Sequence, residues 1–141
     1  MNRTLIASPA ALQECIIVEQ RCRQVLQQAL EGVHSPVLRL RITALLDSFG
    51  HKVDRLRGEL NRLGASIAVE SETEDPVPES DLPQGVRRLL SLVADWQREL
   101  WALYGEWQHD SEGDADREAF AELRRHSDAI RRECLDLAML I

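Results

Sequence analysis

Apolar residues recur along this chain at spacings of three and four, and four segments keep that helical period over long stretches. The first is predicted over 8–32: Ser8 is an N-cap candidate, Pro9 sits at the first helical position, and Gly32 is the stop. Its stripe is Leu12, Cys15, Ile16, Cys22, Leu26 and Leu30. A second segment, 35–64, opens on Ser35-Pro36 with the same chemistry and closes at Gly64, with Leu38, Ile42, Leu45, Phe49, Val53, Leu56, Leu60 and Leu63 on one face. Only Val33 and His34 separate the two, which predicts a helical hairpin. Two further helices are predicted over 81–109, capped by Ser80 or Asp81, and 114–141, with the turn at Gly113 and Asp114.

Between the pairs, residues 65–80 interrupt the period. With Asp81 the stretch reads ASIAVESETEDPVPESD, holding six acids, no base and two prolines, a solvated linker long enough to cross a bundle end. The expectation is an all-α fold: one antiparallel four-helix bundle spanning 1–141, built from two hairpins joined by an acidic crossover.

Composition narrows the functional classes. The net charge is −7, with residues 1–69 at about +3 and residues 70–141 at about −10, so nucleic acid and anionic membrane are not expected partners. No apolar run has the length of a membrane span and no secretory leader is legible, which points to a cytoplasmic protein. Three cysteines without a loop CxxC pair read as core fillers. No phosphate loop, nucleophile elbow or HExxH motif is present, so no enzyme activity is expected.

The stretch SPVLRLRITALLDSFGHKVDRLRGELNRLGA resembles the second helix of small bacterial ferritin-like proteins, a likeness centred on residues 10–64. In iron-binding members of that family, two helices supply one Glu each and the other two a Glu-x-x-His pair. Here Ser48 and Leu123 stand three positions before His51 and His126, so both motifs lack their carboxylate. The resemblance therefore implies a bundle that has lost its metal chemistry, a non-enzymatic scaffold or partner-binding protein in a bacterial stress setting, with no cofactor. The alternative it leaves is a residual iron or zinc site at Glu19, Glu99 and His126.

Glu19 projects from the middle of an apolar stripe, where an ionised carboxylate must be paired or coordinated. Lys52 is its candidate partner in a buried ion pair, with Arg23 as another. The segment DRLRGELNRLGA also resembles part of the histidine phosphotransfer signature, which makes a signalling adaptor using His51 a further alternative; Asp54, however, occupies the phosphorylated position. Ile17, Val18, Val25, Leu90 and Trp101 fall off the core stripes by helical angle. They are the candidate partner interface, with a second copy of the chain as the default occupant, giving a homodimer or higher assembly.

Overall fold

The computed structural model describes residues 7–63 and 82–141. Four helices make up the regular structure: α1 (Pro9–Glu31), α2 (Pro36–Arg62), α3 (Val86–Asp110) and α4 (Asp114–Leu140). No strand occurs among the described residues.

The helix starts follow local chemistry. Ser8 and Ser35 hold extended backbone and their hydroxyls accept from the amides of Ala11 (3.1 Å) and Leu38 (3.4 Å), while Pro9 and Pro36 occupy positions that have no amide to lose. Gly113 provides no side-chain cap for α4, where Asp114 and Asp116 instead place negative charge in the first turn against the helix dipole.

Two boundaries differ from expectation. α3 begins at Val86 rather than at 81, because Pro83 disfavours helical backbone at Leu82 and Gly85 takes φ +94°, a conformation no helix can propagate through. Ser80 and Asp81, the predicted caps, lie outside the described residues, as do Gly64 and the predicted linker 65–80, and the helix they were to cap starts after them. Gly32 does end α1, but at φ −91° and not in the left-handed form usual for a terminal glycine. Its necessity is steric: a Cβ there would meet Val86 Cγ2 at 2.7 Å, so the absent side chain lets the first turn of α3 close over the end of α1.

α1 packs on α2 and α3, and α4 packs on α3 and α2, so the helices form a ring in the order α1, α2, α4, α3. The turn between α1 and α2 is tied by Arg39, whose guanidinium donates to the carbonyls of Leu30 and Val33 at 2.8 Å. Along the α2–α4 seam three arginines meet three acids: Arg41 with Glu133 through two 2.7 Å bonds, Arg55 with Glu122 at 3.7 Å and Arg62 with Asp116 at 3.1 Å. The α2 numbers rise as the α4 numbers fall.

The interior is two apolar clusters. One gathers Cys22, Leu26, Ile42, Phe49, Leu90, Val93, Ile130 and Leu137, the other Leu12, Ile16, Leu56, Leu100, Tyr104, Trp107, Phe120 and Leu123. Val25 and Leu90, expected at an outer interface, are fully buried. A helix in a ring touches two neighbours, so its buried arc is wider than a single stripe and takes in flanking positions. The opposite correction applies to Leu63, expected in the core and exposed beyond the end of α2.

The burial of Val25 and Leu90 has a measurable consequence. Leu90→Ala should lower unfolding free energy by about 2–5 kcal/mol and Val25→Ala by about 1–3 kcal/mol, whereas truncation on a free outer face costs at most about 0.5 kcal/mol. Urea titration of both variants separates the two placements.

Candidate functional site

Four polar residues, one from each helix, have no solvent exposure: Glu19 on α1, Lys52 on α2, Gln97 on α3 and Ser127 on α4. They meet between the two apolar clusters. Lys52 Nζ lies 2.7 Å from Glu19 Oε2 and donates to Ser127 Oγ at 2.7 Å and to Gln97 Oε1. These three acceptors use all three ammonium protons. Gln97 closes the ring by donating through Nε2 to Glu19 Oε1 at 2.9 Å and, more weakly, toward Cys22 Sγ at 3.4 Å. Tyr104, about two helical turns along α3 from Gln97, donates its hydroxyl to Glu19 Oε2 at 2.7 Å.

Lys52 Nζ also stands 5.6 Å from the ring centroids of Phe49 and Tyr104, so two aromatic rings flank the ammonium. It is the chain's single lysine. A compact ammonium with three rotatable donors suits this three-acceptor pocket, which a planar guanidinium would not fill in the same way. Burial sets the neighbouring groups against ionisation. The Tyr104 hydroxyl and the Cys22 thiol are driven well above their usual ranges, chiefly by desolvation and secondarily by the Glu19 charge. Cys15 is pushed up to about 12 by the same two causes in the same order, and Cys134 to about 12, again mainly by burial. All three cysteines are free and buried, and burial disfavours the thiolate form of each.

The postulated ligands Glu19, Glu99 and His126 are not brought together. Glu19 spends its carboxylate on Lys52, Tyr104 and Gln97; Glu99 is exposed on the α1–α3 side; His126 borders a shallow pocket between α2 and α4. Burial holds the His126 imidazole below its usual pKa. Among the described residues no group of three His, Cys, Asp or Glu side chains is placed to hold a metal, so this donor set does not fit iron or zinc. His51 is exposed on α2 beside Lys52, and Arg23 is exposed on α1.

Of the candidate interface residues, Ile17 and Val18 are half-buried and Trp101 is 37% exposed, its ring covered at 4.3 Å by the Arg124 guanidinium. More exposed apolar side chains lie elsewhere. Val37 (65%) and Leu40 (72%) at the start of α2 share one end of the bundle with Met139 (85%) and Leu140 at the finish of α4. The Arg41–Glu133 pair and the bond from Arg87 Nε to the Ala138 carbonyl fix these segments at that common end.

An open groove of about 560 Å³ lies between α1 and α3. Alanines 10 and 11, Val18, Trp96, Leu100, Leu103 and Trp107 supply its apolar surface, and Cys15 lies in its floor. At the opposite end from Val37, Glu59 is 4% exposed and sits against Asp116. Burial first, then its hydrogen bond and repulsion with Asp116, raise its pKa to about 7, with Arg62 and Arg55 pulling the other way.

Gln97, Tyr104 and Ser127 were missing from the sequence expectation. Two of them carried the signal that singled out Glu19: Gln97 falls between Val93 and Leu100, and Ser127 between Leu123 and Ile130, each at core spacing. Tyr104 carried none, since an aromatic in an aromatic-rich helix reads as plain core.

Comparison with family models, with curated proteins and with solved structures gave no match to this chain.

Two predictions follow from the buried groups. Glu19→Gln leaves the ammonium uncompensated and should cost about 3–5 kcal/mol, while Glu19→Leu combined with Lys52→Met should recover most of that loss; equilibrium denaturation of the two variants tests the difference. For Glu59 the folded pKa lies above the unfolded one. Its contribution is complete below about pH 4.5 and lost as pH rises through about 7. Wild-type stability should therefore fall across that window relative to Glu59→Gln, whose curve lacks this component; parallel profiles would contradict it.

Proposed function

We propose that this chain is a non-enzymatic, cytoplasmic scaffold: two antiparallel helical hairpins, joined by an acidic crossover at 65–80, that self-associate as a homodimer. The single observation behind this reading is the gathering of Val37, Leu40, Met139 and Leu140 at one end of the bundle with most of their surface in water. Exposed apolar side chains are ordinary when scattered, and their concentration at one end is what marks an interface.

The polar centre supports the same reading from the other side. Glu19, Lys52, Gln97 and Ser127 satisfy one another and have no exposed surface, so they serve the packing of the bundle and offer no substrate a reacting group. A second copy is the favoured occupant because the apolar end carries both signs of charge, Arg41 beside Glu133 and near Asp136, and so can face its own image across a two-fold axis. The ferritin-like resemblance of residues 10–64 agrees with a bundle kept for assembly after its metal motifs were lost.

Sedimentation equilibrium should give twice the 16.0 kDa chain mass at micromolar concentration. Leu40→Glu and Met139→Glu should each return it to the monomer with helix content unchanged, since an isologous interface meets every substitution twice. A wild-type chain that stays monomeric at millimolar concentration removes the proposal.

A further inference from the structure

The α1–α3 groove lies on a different part of the surface from the apolar end, and its lining has a distinct chemistry. Trp96 borders it toward Val18, and Trp107 toward Ser8, because α1 and α3 meet with Glu19 against Gln97 and Cys15 beside Tyr104. The two indoles are eleven residues apart on α3, about 16 Å along its axis at 1.5 Å per residue. Leu100 and Leu103 lie between them. Across the groove, Ala10 and Ala11 on α1 are small enough to leave the space open.

Among the described residues, two ionisable side chains besides the Cys15 thiol line the groove, and both are carboxylates: Glu14 from α1 and Glu99 from α3. Both are exposed at its mouth, and no Lys, Arg or His is among the described lining residues. Cys15, with its thiol held protonated, contributes apolar surface. An anionic ligand would meet two negative charges with no cationic side chain among the described lining residues to answer it. A neutral ligand would leave them unused. A cation carried on an apolar or aromatic body would place its charge between the carboxylates and its hydrocarbon against the indoles and leucines.

We infer that the α1–α3 groove is a binding site for a hydrophobic organic cation, held by Glu14 and Glu99 at the mouth and by Trp96, Leu103 and Trp107 along the walls. Its 560 Å³ falls within the range of sites that take single small molecules. The α1 and α3 side chains that shape it are anchored from behind by the buried centre, where Gln97 and Tyr104 are fixed to Glu19, so the site is largely preformed. Dimerisation at the Val37 end leaves it open, and the site stands whether or not the chain self-associates.

The test uses a matched pair of ions, tetraphenylphosphonium and tetraphenylborate, which share size and apolarity and differ in the sign of charge. Binding to the full chain carrying Trp101→Phe, which leaves Trp96 and Trp107 as the tryptophans, is followed by fluorescence and by calorimetry. Tetraphenylphosphonium should bind saturably at one site per chain and quench emission, with tetraphenylborate about tenfold weaker or more. Glu14→Gln and Glu99→Gln, both substitutions of exposed residues that leave the fold intact, should each weaken the cation about threefold to tenfold, and added salt should do the same. Ala11→Trp should fill the groove and abolish binding. Equal affinity for the two ions, affinity indifferent to both glutamates, or no saturation below millimolar concentration overturns the inference. So does a basic helical peptide that binds the groove and is not displaced by tetraphenylphosphonium, since the occupant would then be a protein segment.

Discussion

The contact between the Glu19 carboxylate and the Lys52 ammonium is the constraint around which the bundle is arranged. Both groups are wholly removed from water, and neither could remain there charged without the other. Two charges alone would still leave protons and lone pairs unmet. Gln97 and Ser127 complete the ammonium, Gln97 and Tyr104 complete the carboxylate, and in doing so they commit all four helices to one level. An apolar core tolerates sliding by a turn; a core with this inventory at its centre does not, because any shift would strand a charge in hydrocarbon.

That fixed level organises what lies on either side of it. Above and below the polar centre the helices fill with leucine, isoleucine and aromatic side chains, and the α2–α4 seam is closed outside by arginine–carboxylate pairs. The exposed members of that ladder add little stability, but the two-pronged Arg41–Glu133 pair holds Glu133 below the usual carboxylate range and marks the register from outside as Lys52 marks it from within. On the α1–α3 side the mouth of the surface depression carries the carboxylates Glu14 and Glu99, where the α2–α4 side carries the Arg41–Glu133 pair. A groove of about 560 Å³ lies there, against a shallower pocket of about 300 Å³ on the α2–α4 side.

Much of this architecture is legible in the sequence. The serine–proline starts of α1 and α2 declare themselves through capping chemistry that is local, and the apolar period persists long enough to identify all four helices. Glu19 in an apolar stripe announces a buried charge, and Lys52 at a neighbouring level is its natural partner. Less visible is anything that depends on how many neighbours a helix has. Val25 and Leu90 look external on an isolated helical wheel and are internal in a ring, where each helix is covered from two directions. The late start of α3 turns on the backbone of Gly85, which side-chain periodicity does not report. The groove was out of reach altogether, since it arises from small residues on one helix facing large ones on another, distant in sequence. Geometry also dissolves the ligand set of Glu19, Glu99 and His126: three residues at similar depth along their helices are turned to different sides of them.

The identity of the buried cation has a consequence for covalent modification. All other Lys/Arg positions in this chain are arginine, and the single ε-amino group is enclosed at the centre of the fold. Acyl transfer to lysine, isopeptide conjugation and amine-directed cross-linking therefore have no accessible side-chain target while the helices are docked. Any such mark found on Lys52 records a moment when the bundle stood open, which makes the residue an internal reporter of unfolding built into the chain itself.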